Sequence, residues 1–143
     1  MLGPAVGEVE GPVKKNIEVV GAVIVADGEI LCAQRGPHGP LGGKWEFPGG
    51  KVEGGESPRE ALEREIHEEL ECVVRVGEQV TMTVHEYDFA IIALTTFYCQ
   101  LLDGEPHLTE HAAVQWLPPS RLAELDWAAA DVPAVRLIEM ASV

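Results

Sequence analysis

The stretch from Gly50 to Cys72 constrains this chain more than any other. It reads Gly50, five residues, Glu56, seven residues, then Arg64-Glu65-Ile66-His67-Glu68-Glu69. Its local chemistry predicts a helix from about Pro58 to Leu70. Ser57 is a good N-cap, and Pro58 takes the first helical position, where a missing N–H costs nothing. Glu60 completes a capping box with Ser57. Leu62, Ile66 and Leu70 recur every four residues and form the expected buried stripe. Glu65 and Glu69 flank that stripe, with Glu68 farther round. Glu65 precedes Glu68 and Glu69 by three and four residues, the spacings at which like charges repel.

Two carboxylates about 6 Å apart repel by roughly 0.7 kcal/mol in water, and by about 3 kcal/mol at an effective dielectric near 20. A solvated face tolerates this, whereas a face beside a cleft needs cations. Oxygen ligands of this kind suit Mg²⁺, Mn²⁺ or Ca²⁺ better than thiolate-seeking metals. From the residues alone, a solvated acidic helix and a divalent-metal site both stay open.

The flanking pattern predicts the other elements. Ile17 to Val25 is apolar and β-branched, Asp27-Gly28 is a hairpin signal, and Glu29 to Gln34 returns as a second strand. Gly36 to Lys44 is a glycine- and proline-rich loop. Trp45 to Pro48 leads into Gly49-Gly50, with Lys51-Val52 extending the same short strand. Val73 to Val76 forms a separate strand. Val80 to Tyr87 and Ala90 to Leu101 form a second hairpin turning near Asp88. Ala113 to Leu117 is a last strand, Pro119 to Glu124 one or two helical turns, and Asp131 to Met140 the closing helix. Strands, helix, strands, helix suggest an α/β (α+β) domain with a mixed sheet and helices on both sides.

The 143 residues are enough for one domain with a real core, expected from residue 15 to 143 behind a flexible arm of residues 1–14. Met1 to Gly11 has no signal-peptide character, and no apolar run reaches membrane-spanning length. Cys32, Cys72 and Cys99 are odd in number and lack zinc spacing, which fits core thiols in a reducing cytoplasm. A net charge of −14 argues against nucleic-acid polymers as partners, but not against a nucleotide. Monomer and homodimer both stay open.

Gly50, Glu56, Arg64, Glu65, Ile66, Glu68 and Glu69 resemble the box of the Nudix hydrolase superfamily. The likeness runs from about Val19 to Leu137. Ala33-Gln34-Arg35, Trp45 to Lys51, and Trp127 to Pro133 resemble its MutT and CTP pyrophosphohydrolase branch. The resemblance implies an α/β/α sandwich with a mixed sheet. It implies a Mg²⁺-dependent nucleoside triphosphate pyrophosphohydrolase, with Mn²⁺ able to substitute. Attack on the β-phosphorus would release a monophosphate and pyrophosphate from 8-oxo-dGTP, CTP or a modified dCTP. Glu65, Glu68, Glu69 and Glu110 would bind the metal with the Gly49 carbonyl. Glu56 and Arg64 would brace the loop against the helix, Arg64 being equally readable as an i, i+4 partner of Glu60 or Glu68. Glu65 or Glu110 would be the general base, Glu65 being favoured. Arg35 would hold substrate and Asp131 would read the base edge. Phe47, Tyr87 and Leu94 would wall the base slot, with His38 and Lys44 as lesser phosphate candidates.

Plainer readings accompany each. Glu110 could be a loop charge, Arg35 an edge residue, Asp131 a helix cap, and the three wall residues core. A non-catalytic binding module is disfavoured because all the box carboxylates are present. A hydrolase of other nucleoside diphosphate derivatives is disfavoured by the chain's compactness. One departure matters: the box continues with glycine, but this chain has Glu71, then Cys72. A glutamate forced left-handed at that helix exit costs about 1 kcal/mol.

Overall fold

Alternation in the first two strands decides the architecture. The computed structural model describes residues 13–107 and 110–141. β1 (Asn16–Ala26) and β2 (Glu29–Gln34) meet at Asp27-Gly28, whose φ angles are 52° and 77°. Two successive positive φ values suit the twist of a tight hairpin. Val20, Ala22, Ile24 and Leu31 are buried on one face; Val23, Ile30 and Cys32 are buried on the other. A sheet that is apolar on both faces must be covered on both.

The remaining elements provide that cover. β3 (Trp45–Glu46), β4 (Gly49–Lys51), β5 (Val73–Glu86), β6 (Ile91–Asp103) and β7 (Ala113–Leu117) complete a seven-stranded sheet. Its main order is β3-β2-β1-β6-β5, with β4 on β1 and β7 on β2. β1 and β6 run parallel, while the other pairings are antiparallel. α1 (Pro58–Leu70) packs Ala61, Leu62, Ile66 and Leu70 on the first face. α2 (Val132–Ala141) and a 3-10 turn, Pro119–Glu124, place Ala134, Val135, Ile138 and Leu122 on the second. The result is the expected mixed-sheet α/β/α sandwich.

α1 begins as its sequence dictates. Ser57 Oγ accepts from Glu60 N–H at 3.1 Å, and Glu60 Oε1 accepts from Ser57 N–H at 2.9 Å. Each fully buried Leu or Ile on its stripe contributes about 1.5–3 kcal/mol. Arg59 tightens the docking. It donates to Val76 O at 3.0 Å and lies 5.1 Å from the centre of the Phe97 ring.

Several local expectations are corrected. The expected strands at Val73 and Val80 are one strand, because register shifts between Val76 and Gln79, and again before Thr81, absorb the irregularity. The expected strand through Trp45 and Lys51 is two, paired to β2 and β1 respectively. Pro48 separates them, and its carbonyl accepts from Ala22 N–H at 2.7 Å. The closing helix starts at Val132, because Asp131 belongs to a preceding 3-10 turn, Ala129–Asp131. The expected arm lies outside the described residues up to residue 12, and Lys14 is already paired with Glu86 at 2.7 Å. The three cysteines are buried free thiols. Among the described residues, no helix is long and apolar enough to cross a membrane.

Glu71 ends α1 in the left-handed region, at φ 55° and ψ 36°. Its N–H donates to His67 O at 3.1 Å, so the helix exit expected of a glycine is kept by a residue that is strained there. Replacing Glu71 with Gly should therefore stabilise the fold by about 1 kcal/mol. The readout is a higher urea midpoint at unchanged slope; an unchanged or lower midpoint contradicts the strain.

Candidate active site

Arg64 organises the start of the site from the middle of α1. Its Nε donates to Glu56 Oε2 at 2.6 Å, and its Nη2 to Glu56 Oε1 at 2.9 Å. Nη2 also reaches Lys51 O at 3.1 Å, tying in β4. Glu56 Oε1 accepts from Glu53 N–H at 3.0 Å, which closes the intervening loop. The hydrogen bond from Arg64, reinforced by that amide, holds the Glu56 carboxyl at about 2. Arg64 Nη1 also meets Glu68 at 3.2 Å, so the brace and the i, i+4 pair coexist.

Two glycines let the helix carboxylates approach the sheet. A Cβ on Gly49 would run into the Val20 carbonyl, and one on Gly50 into the Glu65 carboxylate. Glu65 is therefore seated against the β4 backbone. Burial raises its pKa; Arg64, 3.8 Å away, opposes this, while Glu68, Glu53 and Glu110 add to it. Burial lifts Glu69 to about 7, helped by Glu65, Glu110 and Glu46 and opposed by His111. Glu68 is exposed and engaged with Arg64.

β3 carries the other half of the site. Trp45 N–H donates to Asp126 O at 2.9 Å, and Trp45 O accepts from Ala128 N–H at 2.9 Å. Phe47 N–H donates to Asp131 Oδ1 at 3.2 Å, and the Phe47 ring lies 4.7 Å from that of Trp127. These links stitch residues 126–131 along β3. They border an open cavity of about 500 Å³ lined in part by Arg35, Phe47, Tyr87, Phe89, Leu94 and Asp131. Asp131 is buried at 5% exposure. Burial pushes its carboxyl up to about 8; the Phe47 amide and Arg35 pull it down, and Glu46 pushes it up.

A smaller, polar cavity of about 150 Å³ adjoins the first and shares Arg35, Glu46 and Gly49 with it. Glu69, Glu110, His111 and His38 complete its lining with Gly36. Glu46 joins its walls, meeting Arg35 Nη1 at 3.3 Å through Oε1 and His111 Nε2 at 2.9 Å through Oε2. Among the described residues His111 Nδ1, also buried, finds no hydrogen-bond partner. Lys44, by contrast, is paired with Asp126 at 3.0 Å.

A family model described as NUDIX domain matches residues 19–137. The chain belongs to the Nudix domain family. It is 43% identical over 119 residues to an Escherichia coli protein named CTP pyrophosphohydrolase, spanning 83% of this chain and 88% of that one. It is 34% identical to a Haemophilus influenzae protein named 8-oxo-dGTP diphosphatase over 105 residues, 73% of this chain and 77% of the relative. A solved structure from methicillin-resistant Staphylococcus aureus, described as the DNA mismatch repair protein MutT of the Nudix hydrolase family, superposes with a TM-score of 0.75. It is 51% identical, with 90% of this chain and 99% of that one covered.

Nudix hydrolases use a divalent metal, and this donor set suits one. Glu65, Glu68, Glu69 and Glu110 offer only hard oxygens, and burial first, then the neighbouring carboxylates, raise the pKa of Glu69. Among the described residues no three His, Cys, Asp or Glu side chains are already gathered as a metal cage. Of the box carboxylates, Glu69 lines the polar cavity, whereas Glu65 sits against Gly50 and Glu68 is exposed and paired with Arg64.

Sequence reasoning passed over Phe89 and the linking role of Glu46. Phe89 sits in a turn, where no periodicity speaks. Glu46 lies beside two core aromatics, and its alternation across β3 is the signal that could have singled it out.

The raised carboxyls predict a pH dependence of stability. Folded Asp131 and Glu69 bind protons that the unfolded chain has released above its ordinary carboxylate range. Their contribution is full at low pH and is lost as pH rises through about 7 to 8. Thermal melts from pH 5 to 8.5 should show stability falling, and Asp131→Asn should flatten that fall. An identical slope in the variant contradicts the assignment.

Proposed function

We propose that this Nudix hydrolase cleaves nucleoside triphosphates to the monophosphate and pyrophosphate with Mg²⁺, for which Mn²⁺ substitutes. One observation carries the reading. An apolar cavity ending on a buried carboxyl adjoins a polar cavity lined by Glu69 and Glu110, and Arg35, Glu46 and Gly49 belong to both. A base fits the first and a polyphosphate the second.

The roles in this reading are as follows. Glu69, Glu68, Glu65 and Glu110, with the Gly49 carbonyl, hold the cation. A bound divalent ion supplies charge neutralisation on the phosphate oxygens and activation of water. Glu65, seated against β4 with a raised pKa, takes the proton of the attacking water. Glu56 and Arg64 act at one remove, fixing β4 and α1 relative to each other. Arg35 stands where the cavities meet and steadies the phosphates against the −14 background.

Asp131 reads the base. With its carboxyl near 8 it is largely protonated at neutral pH, so it can donate as well as accept. That suits a cytosine or an oxidised purine edge, in line with the names of the relatives. Phe47, Tyr87 and Leu94 form the slot's apolar walls. The role this supports is removal of damaged or surplus nucleotides.

A panel of normal, methylated and oxidised nucleoside triphosphates, scored by kcat/KM and by product, tests this directly. Excess EDTA should abolish turnover, and Glu69→Gln should lower kcat by about 100-fold or more with the fold intact by circular dichroism. Full turnover in EDTA, or a parent-like Glu69→Gln variant, would remove the metal role.

A further inference from the structure

The end of β5 and the turn that follows it hold aromatic groups whose arrangement goes beyond walling a slot. The His85 and Tyr87 rings meet edge-on at 4.5 Å, and Tyr87 and Phe89 stack at 5.1 Å with 16° between planes. Tyr87 N–H donates to Ala90 O at 2.8 Å and closes the turn. The Tyr87 hydroxyl then reaches across the molecule. Its oxygen accepts from Ala130 N–H at 2.8 Å. Ala130 immediately precedes Asp131 in a three-residue 3-10 turn that has no side-chain cap of its own. Tyr87 therefore anchors that turn from outside, as Phe47 N–H anchors the Asp131 carboxyl from within.

Phe89 differs from a core ring. It is 45% exposed, yet it lines the apolar cavity together with Tyr87 and Asp131. One side of it stacks on Tyr87. A large ring at the cavity rim, backed by a second ring, offers a flat platform to a planar ligand.

We propose that this hairpin tip sets base discrimination: Tyr87 is a positioning residue that holds Asp131 in register through the Ala130 amide, and Phe89 is the ring on which the base stacks. The inference rests on Asp131 reading the base edge. Hydrogen bonds weaken steeply with misalignment, so a small shift of the turn alters which edge Asp131 matches. Stacking works differently, since every base presents a π-face to the ring. The two residues thus have separable signatures. Loss of the Tyr87 hydroxyl changes the ranking of bases, whereas loss of the Phe89 ring weakens all bases together.

The test uses the full-length protein and the same triphosphate panel. Tyr87→Phe keeps the ring and removes the acceptor; it should reduce discrimination between the best and worst bases by about tenfold, mainly through KM. The double variant Tyr87→Phe with Asp131→Asn should discriminate no worse than Asp131→Asn alone, as expected of a residue acting through another. Phe89→Ala should weaken binding of every nucleoside monophosphate product by about tenfold, and Phe89→Trp should restore it. Additive losses of discrimination in the double variant overturn the coupling. Parent-like product binding in Phe89→Ala overturns the platform. Unchanged ranking in Tyr87→Phe, where Asp131→Asn alters it, overturns this inference alone. Unchanged ranking in Asp131→Asn removes the base-reading role and this inference with it.

Discussion

Repulsion among carboxylates on the flank of a docked helix is the constraint around which the rest of the protein is arranged. Leu62, Ile66 and Leu70 are fully buried, so α1 cannot roll to spread its glutamates into water. Arg59 pins the helix to β5 and the Phe97 ring, and Arg64 pins it to Glu56 and β4. Apolar burial thus sustains a charge arrangement that would relax if the helix were free. Burial first, and repulsion from neighbouring carboxylates second, make Glu65 and Glu69 resist ionisation. Such a surface gains more from a divalent cation than a solvated acidic face does.

The same economy of scaffold appears in β3. Trp45 and Phe47 face the core beside Trp127, and Glu46 between them turns the other way, to Arg35 and His111. Phe47 therefore lines the apolar cavity, and Glu46 lines both cavities. A shift of this short strand would disturb the seat of Asp131 and the Arg35–His111 link together. Its backbone is correspondingly bound on both sides, to β2 by pairing and to residues 126–128 by two hydrogen bonds.

What was legible in advance was what is encoded over a few residues. Ser57, Pro58 and Glu60 specify the start of α1, and the four-residue apolar repeat specifies its buried face. The Asp27-Gly28 turn and the strand Ala113–Leu117 were equally plain. The β5 bulge and the break at Pro48 were not, because both depend on which neighbour supplies the hydrogen bonds. In the site, Arg35, Phe47, Tyr87, Leu94 and Asp131 all reach the same cavity, though 96 residues separate the first from the last. Phe89 and His111 escaped because turns and loops carry no period to betray an inward side chain.

The sequence by itself determined an amphipathic, capped helix with acidic flanks and a chain of alternating strands, since helix caps, turn residues and apolar repeats act between near neighbours. Only the tertiary structure decided that those flanks border a cleft. It placed the Glu65 carboxylate against Gly50, took Asp131 out of water beneath Phe47, and brought the Tyr87 hydroxyl to the Ala130 amide. Burial and long-range hydrogen bonding set the charge state and aim of those groups, and neither exists until the strands have paired and both faces of the sheet are covered.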